Sequence, residues 1–167
     1  MKNSTHFNKK YKSCQVNNKL LSLLKDVKNK NILVYYPLKN ELDITKTIMN
    51  LRKNNKVLLP FMQNKSFKVV PFRLPLKKKK FNIYEAANSL KKINNIDIAI
   101  VPVVGVDGNL QRIGFGAGMY DRFFARLKKK PYTIFIQNDL CHTKELICDS
   151  YDVQADVLLT PKVTLYP

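Results

Sequence analysis

The stretch 98–126 constrains the fold more than any other part of the chain, because it joins a strand-like run to a glycine-rich loop and a helical pattern. Residues 98–104 are almost all apolar and mostly β-branched, which is typical of a strand buried on both faces of a parallel sheet. Three glycines follow at alternate positions: Gly114, Gly116 and Gly118. Since glycine accepts a positive φ and lets the backbone lie close to a ligand, we predict a ligand-binding loop here.

A helical pattern follows the glycines. Apolar residues recur on one helical face at Met119, Phe123 and Leu127. A strand, a glycine loop and a helix in this order present backbone N–H groups and the positive end of a helix dipole to an anion, which favours a phosphate site. The glycine spacing differs from the Walker A pattern and from the dinucleotide fingerprint, so a plain connection between strand and helix remains an alternative interpretation.

Asp121, in the first turn of this helix, is a candidate metal ligand. Its carboxylate would stand beside the predicted phosphate site, where Mg²⁺ needs an oxygen ligand. The alternative is that Asp121 only stabilises the start of the helix, an effect of about 0.3–1 kcal/mol.

The same residues carry a family resemblance. The segments 101–107 (VPVVGVD) and 112–123 (RIGFGAGMYDRF) resemble the signature of the 5-formyltetrahydrofolate cyclo-ligase family, which reads VPGVAFD and then RLGxGxGYYDR. The resemblance extends in the right order over about 32–161. It implies a ligase, also called methenyltetrahydrofolate synthetase, that uses ATP and Mg²⁺ to convert 5-formyltetrahydrofolate to 5,10-methenyltetrahydrofolate with release of ADP and phosphate.

The order of predicted elements favours an α/β fold with a largely parallel sheet and ligands at the carboxyl ends of its strands. The resemblance adds a three-layer α/β/α sandwich of the ribose-phosphate isomerase and coenzyme A transferase kind. Hydrophobic patterns predict helices at 16–28 and 44–53. They predict strands at 32–36, 56–59 (ended by Pro60), 67–72 (at a sheet edge because of Pro71) and 132–136. Residues 139–150 are predicted to form a loop or short helix, and His142 within it is assigned no role.

The resemblance assigns ATP binding to nine consecutive residues: Arg112, Ile113, Gly114, Phe115, Gly116, Ala117, Gly118, Met119 and Tyr120. Arg112 would hold a positive charge beside the phosphates and Tyr120 would lie between nucleotide and folate, so both are assigned to catalysis. Asp121 and Asp152 are the implied Mg²⁺ ligands, since Mg²⁺ usually takes one or two protein carboxylates. Ala117 stands where the family usually has glycine or lysine, and Met119 where it has tyrosine, so the resemblance leaves the shape of this wall open.

Folate binding is assigned to two parts of the chain. Residues 37–45 resemble the family's P-x-x-x-E-V-D-T, in which the glutamate contacts the folate, so Glu41 would bind the pterin and Tyr36 would line its pocket. A carboxylate suits this role because it accepts paired, charge-assisted hydrogen bonds from the N–H donors of a pterin. Without the resemblance, Glu41 would be interpreted as a loop charge near a helix start. The glycine loop completes the set: Phe115, Gly116, Ala117, Gly118 and Met119.

The net charge of +18 and pI near 9.9 raise the question of a polyanionic partner. The lysines are spread along the chain, which favours a solvated surface, so we expect no nucleic-acid partner. The run 77–80 is the densest in charge and is either a solvated loop or an attractant for the polyglutamate tail of a folate. Two other functions stay open: a basic RNA-binding protein, and a catalytically silent relative that binds folate or nucleotide.

The remaining expectations concern the organisation and location of the chain. We predict one domain over 1–167, with 1–15 a flexible basic tail, and a monomer. The cysteines, Cys14, Cys141 and Cys148, form no C-x-x-C pair, which fits free thiols in a reducing compartment. No apolar run reaches the ~18 residues that a membrane span needs, and the N-terminus lacks the apolar core of a signal peptide. We expect a cytoplasmic enzyme without a membrane partner.

Overall fold

The computed structural model describes residues 2–63, 66–78, 84–89, 93, 95–114 and 116–167. The described chain forms three helices and eleven strands. In chain order they are α1 (Lys2–Leu23), β1 (Asn31–Leu33), α2 (Thr45–Leu51), β2 (Lys56–Gln63), β3 (Ser66–Pro71), β4 (Lys77–Lys78), β5 (Tyr84–Glu85), β6 (Ile98–Pro102), β7 (Gly105–Val106), β8 (Arg112–Ile113), α3 (Met119–Phe124), β9 (Tyr132–Ile136), β10 (Val157–Leu159) and β11 (Thr164–Leu165).

Seven of these strands form one sheet in the order β11-β10-β9-β6-β1-β2-β3. The five central strands are parallel, and the antiparallel strands β3 and β11 close the two edges. The predicted α/β fold with a largely parallel sheet is therefore confirmed, and β3 lies at an edge as Pro71 predicts.

Successive residues of the central strands point to opposite faces of the sheet and form two separate cores. Ile32 packs in the core beneath α1 and α2, whereas the next residue, Leu33, packs in the core beneath α3. Phe123 is the buried residue of α3 and joins this second core. Helices thus cover both faces of the sheet, in the three-layer arrangement expected.

The prediction of a flexible tail before residue 16 is wrong, because α1 is helical from Lys2 to Leu23. Polar contacts that the apolar pattern cannot reveal hold this part of the helix. The buried Asn17 amide donates to Asp43 O at 2.6 Å and accepts a bond from Thr47 Oγ1 at 2.7 Å. Ser13 Oγ accepts a bond from Asp43 N at 3.0 Å. These bonds fix α1 to the start of α2, so the helix extends well ahead of its apolar residues.

The prediction that Pro60 ends a strand is also wrong, since β2 continues to Gln63 in a ladder with β3. The reason is that β1 pairs with β2 only as far as Leu33 opposite Leu58. Beyond Leu58, β2 has β3 as its single sheet neighbour in the described chain, so the missing N–H of Pro60 removes no ladder bond on the other side.

The segment 139–150 contains no helix, and backbone bonds fasten it to the β7–β8 hairpin. Val106 N donates to Cys141 O at 3.0 Å, and Gly108 N donates to Glu145 O at 3.1 Å. Of the lysine run 77–80, residues 77 and 78 form β4, which pairs with β5, and the other two lie outside the described residues. No helix in the described chain has the length and apolar character needed to cross a membrane.

Candidate functional site

A cavity of about 230 Å³ opens at the carboxyl ends of the central strands. It is formed by the loop after β1, the middle of β2 with β3, the start of β5, the end of β6 and the β8–α3 region. Its lining residues are Tyr35, Tyr36, Leu38, Glu41, Leu59, Pro60, Met62, Phe67, Tyr84, Pro102, Arg112, Ala117, Gly118, Met119 and Tyr120. Ligands of open α/β sheets bind at this end of the strands.

Residues predicted from two distant motifs meet in this cavity. Tyr36 and Glu41, expected to contact the pterin, share its lining with five residues expected near ATP: Arg112, Ala117, Gly118, Met119 and Tyr120. Of the other predicted residues, Ile113, Gly114 and Gly116 lie outside the lining, and Phe115 lies outside the described residues. No sequence pattern indicated Tyr84 or Met62, whose places depend on the path of β2 beyond Pro60 and of β5.

Arg112 is the central charged group of the site. It comes from β8, whose backbone is held by a bond from Arg112 N to Val153 O at 2.8 Å. Its Nη1 lies 3.1 Å from Asp121 Oδ2, and its guanidinium carbon lies 5.1 Å from the centre of the Tyr120 ring. Its Nε is buried and finds no hydrogen-bond acceptor among the described residues. A buried donor without an acceptor suits an anionic ligand, since leaving it unpaired is costly.

Gly114 provides the space that Arg112 occupies. A Cβ added at this glycine would come within 2.3 Å of Arg112 Nη1 and 2.7 Å of the guanidinium carbon. Any larger residue would therefore displace the guanidinium group. Glycine is therefore needed at position 114 for a steric reason: it leaves room for the Arg112 side chain.

The other two glycines shape the loop itself. Gly116 has a φ of +85° and Gly118 a φ of +54°, both in the left-handed region that glycine tolerates best. Gly118 also lies immediately before α3, and Arg122 of that helix donates to Ala117 O. The helix predicted from Met119 is confirmed, but it ends at Phe124, before Leu127. An aromatic contact holds this helix against the sheet, because Phe123 stacks on Phe67 of β3 with ring centres 4.4 Å apart.

Glu41 is the acidic residue among those that line the cavity. Its Oε2 accepts a bond from Leu38 N at 2.8 Å. Burial raises the pKa of Glu41, while the bond from Leu38 and the nearby charge of Lys9 act in the other direction. Lys9 belongs to α1 and its Nζ bonds to Lys39 O, so the N-terminal helix reaches the rim of the cavity.

Aromatic rings line the wall next to Glu41. The rings of Tyr36 and Tyr84 lie 5.5 Å apart, and Tyr36 stacks on Phe72 at 6.5 Å. Burial, followed by the charge of Glu41, raises the pKa of Tyr120 well above its usual value, so its phenol is a neutral donor. A wall of rings with one carboxylate suits a flat heteroaromatic ligand that carries N–H groups.

The two predicted metal ligands have protein partners in the structure. Asp121 pairs with Arg112, and its Oδ1 accepts a bond from Val153 N at 3.4 Å. Asp152 Oδ2 accepts a bond from Asp149 N at 2.9 Å. Within the described residues, no three or more His, Cys, Asp or Glu side chains gather as metal ligands. Burial raises the pKa of Cys148 to about 11, and the charges of Asp107, Asp152 and Asp121 add to this effect.

Comparison with known proteins identifies the family. The model of the 5-formyltetrahydrofolate cyclo-ligase family matches residues 2–161. The chain belongs to this family. It is 28% identical to the 5-formyltetrahydrofolate cyclo-ligase of Mycoplasma genitalium over 148 residues, which cover 87% of this chain and 81% of that protein. It is 27% identical to the Mycoplasma pneumoniae cyclo-ligase over 130 residues, or 78% of this chain and 72% of that protein.

Solved structures of cyclo-ligases have the same fold. The NMR structure of 5,10-methenyltetrahydrofolate synthetase from Aquifex aeolicus superposes with a TM-score of 0.71 at 26% identity, covering 90% of this chain and 80% of that one. The synthetase from Mycoplasma pneumoniae gives a TM-score of 0.67 at 24% identity, covering 93% and 88%. The family assignment therefore rests on both the sequence and the fold.

Proposed function

We propose that this cyclo-ligase family member converts 5-formyltetrahydrofolate to 5,10-methenyltetrahydrofolate with ATP and Mg²⁺. One observation carries the proposal: the predicted pterin contacts, Tyr36 and Glu41, line the same cavity as Arg112 and Tyr120 from the predicted nucleotide loop. Transfer of a phosphoryl group from one substrate to another requires this proximity, because the reacting atoms must be held close and aligned.

The pterin would lie against the aromatic wall, beside Glu41. The carboxylate already accepts one backbone bond through Oε2 and is partly buried, so its orientation is fixed before the ligand binds. Paired N–H groups of a pterin would donate to it, and the rings of Tyr36 and Tyr84 would cover the ligand faces.

The formyl oxygen is a poor leaving group, and the reaction begins by making it a better one. The γ-phosphoryl group of ATP passes to that oxygen with loss of ADP. Nitrogen 10 of the folate then attacks the formyl carbon and gives up its proton, the bond from carbon to the phosphorylated oxygen breaks, and phosphate leaves with that proton. The ring that closes is the methenyl product.

Arg112 would neutralise negative charge during the transfer. Its buried Nε needs an acceptor, and a phosphate oxygen in the cavity would supply one. The backbone of the glycine loop would approach the phosphates, since Gly116 and Gly118 leave it without bulky side chains. The neutral phenol of Tyr120, 5.1 Å from the guanidinium, would separate the two substrates.

Asp121 and Asp152 would hold Mg²⁺, which supplies charge neutralisation to the triphosphate when bound. One or two carboxylates completed by water and phosphate oxygens are sufficient for this ion. For Asp121, ATP binding would shift Arg112 toward the phosphates and leave the carboxylate for the metal. We also propose that the folate substrate carries a polyglutamate tail. The protein would act as a monomer in the cytoplasm.

The test is an absorbance assay for the methenyl product with 5-formyltetrahydrofolate, ATP and Mg²⁺. We expect product formation that requires all three, with one ADP released for each folate converted. Binding of both substrates without turnover would contradict the proposal and favour a catalytically silent relative. Isothermal titration of ATP with Mg²⁺ into the same preparation separates that outcome from failure to bind.

A further inference from the structure

The fold gathers lysines that the sequence scatters. Strands β1, β2 and β9 all run in the same direction. The loops that precede them, 24–30, 52–55 and 127–131, therefore lie at the same end of the sheet, where the parallel strands begin. We call this surface the amino-edge face. Its basic residues are Lys25, Lys28, Lys30, Arg52, Lys53, Lys56 and the three lysines 128–130.

Four of these lysines surround a shallow depression of about 690 Å³: Lys28, Lys30, Lys53 and Lys56. Its frame is made of backbone bonds between the two loops. Asn29 N donates to Asn54 O at 2.8 Å, and Lys56 N donates to Lys30 O at 2.9 Å. The Asn55 amide closes the frame by donating to two further carbonyl oxygens. The ammonium groups therefore project from a fixed base.

Most of this positive charge has no counter-charge in the protein. Lys30 has one acidic neighbour, Asp97, at 4.0 Å, and the Lys30 side chain is 52% exposed. Lys28, Lys53 and Lys56 have no ion-pair partner among the described residues. Like charges held around one depression repel each other, and a bound polyanion would relieve that repulsion.

The amino-edge face lies at the opposite end of the sheet from the folate cavity. The acidic residues at that other end, Glu41, Asp43, Asp121 and Asp139, follow or flank the carboxyl ends of the strands. Basic residues also occur at that end, Lys9, Lys12 and Arg112 among them, and the amino-edge loops contain the acidic residue Asp26. A ligand on the amino-edge face would leave the cavity open.

Exposed aromatic rings next to the lysines indicate the class of polyanion. Tyr132, the first residue of β9, is separated from the lysines 128–130 by Pro131 and is 40% exposed. Tyr166 is 63% exposed, and the pairing of Leu165 with Leu158 places it beside the start of β10, next to β9. Exposed tyrosines beside lysines provide stacking surfaces for bases. No exposed large apolar residue of the described chain lies in the three loops, so this face lacks the apolar surface that a lipid bilayer would require.

We propose that the amino-edge face binds single-stranded nucleic acid. The lysines contact phosphates, and Tyr132 and Tyr166 stack on bases. From β2 to β9 the face spans three strand spacings, roughly 15 Å, which accommodates several nucleotides. Recognition is independent of base sequence, because lysines read the backbone and aromatic rings accept any base.

The test measures fluorescence anisotropy of labelled oligouridylate and oligothymidylate as a function of salt. The variant replaces Lys28, Lys53 and Lys56 with alanine. We expect its affinity to fall at least tenfold, and the slope of log affinity against log salt to decrease by about 2, since each phosphate contact on a single strand contributes about 0.7. A matched control replaces three exposed lysines elsewhere, Lys46, Lys144 and Lys162, with alanine.

A second variant tests stacking with little change of charge. Tyr132→Leu combined with Tyr166→Leu is expected to weaken binding about tenfold and to leave the salt slope unchanged. Cyclo-ligase activity of both variants is expected to equal that of the unmodified protein. The proposal is overturned by equal losses in the lysine control, by absence of binding at low salt, or by anionic vesicles that compete with the oligonucleotide at equal charge.

Discussion

Arg112 Nη1 lies 3.1 Å from Asp121 Oδ2, and the two side chains are 7% and 12% exposed. Asp121→Asn removes the partner of a nearly buried cation, so we expect a loss of stability below the roughly 3–5 kcal/mol seen for fully buried pairs, because the cavity admits water. If Asp121 also holds Mg²⁺, kcat falls at least about a hundredfold. Chemical denaturation and the product assay at several Mg²⁺ concentrations measure the two effects.

Asp139→Asn is the matched control for this variant. Asp139 pairs with Lys12 at 2.6 Å, but its side chain is 67% exposed. Exposed pairs contribute about 0–1 kcal/mol, so both stability and activity should change little. Full activity in the Asp121 variant would refute the metal assignment, whatever its stability.

Gly114→Ala and Gly116→Ala separate two reasons for glycine in the same loop. At Gly114 the new Cβ would come within 2.3 Å of the Arg112 guanidinium, whereas at Gly116 it would meet no atom of the described residues within 4 Å apart from those of its chain neighbours. We expect the first change to displace Arg112 and lower kcat at least tenfold. Gly116→Ala should lower only the free energy of unfolding, by about 1–2 kcal/mol, because alanine is strained at a positive φ. Steady-state kinetics with thermal melts distinguishes them, and equal kinetic effects would contradict the steric role of Gly114.

Glu41 sets the expected dependence of folate binding on pH. Burial raises its pKa, so the carboxylate takes up a proton at a higher pH than an ordinary glutamate as the solution becomes acidic. The ionised form accepts the pterin bonds, so KM for folate should rise as the pH falls through this raised pKa. Glu41→Gln should raise KM at neutral pH and remove this dependence. A KM that follows the same pH profile in the variant would assign the titration to another group.

Tyr84 is expected to contact the folate and not the nucleotide. It contacts Tyr36 with ring centres 5.5 Å apart and lines the cavity on that side. Tyr84→Ala should raise KM for folate about tenfold, through loss of aromatic contact of roughly 0.5–1.5 kcal/mol and of buried area. KM for ATP should stay unchanged. Tyr151→Ala, in a 69% exposed position, is the control.

Asp107 is expected to stabilise the hairpin that carries Arg112. Its carboxylate is buried, and it accepts bonds from Asn109 N and Gln111 N at 2.9 Å and from Cys148 N at 3.3 Å. Burial alone would raise its pKa, but these bonds outweigh it and lower the pKa of Asp107.

The lowered pKa determines the pH range in which Asp107 contributes to stability. Its contribution is present above the ordinary carboxyl pKa and is lost as the pH falls through the lowered value. In Asp107→Asn an amide N–H group would face one of the backbone N–H donors. The free energy of unfolding should therefore fall by about 1–3 kcal/mol at neutral pH. Denaturation of both proteins at neutral and acidic pH measures this, and the difference between them should shrink in acid.

The motifs of this chain could be interpreted from the sequence because they depend on local chemistry. The strand 132–136 is observed with the predicted bounds, and the helix after the glycines begins at Met119. The length of α1 and the path of β2 beyond Pro60 could not be predicted in this way. Both depend on partners far away in the chain: α1 on the buried polar contacts of Asn17, and β2 on the point where β1 ends.

In the candidate site, too, some residues could be predicted from the sequence and others could not. Its motif residues, Glu41 and Arg112, could be selected because carboxylates and guanidinium groups have few roles in such patterns. Tyr84 could not, since it lies in a short strand whose place depends on the pairing of β5 with β4. The steric reason for Gly114 also required the structure, because it depends on where the Arg112 side chain turns.

By itself, the sequence determined the alternation of strands and helices, the glycine loop and the family, since each is encoded in residues that are close together in the chain. Only the tertiary structure decided which charges lie side by side. The lysines that appear evenly spread in the sequence meet at the amino-edge face, because parallel strands bring the loops that precede them to a single edge of the sheet.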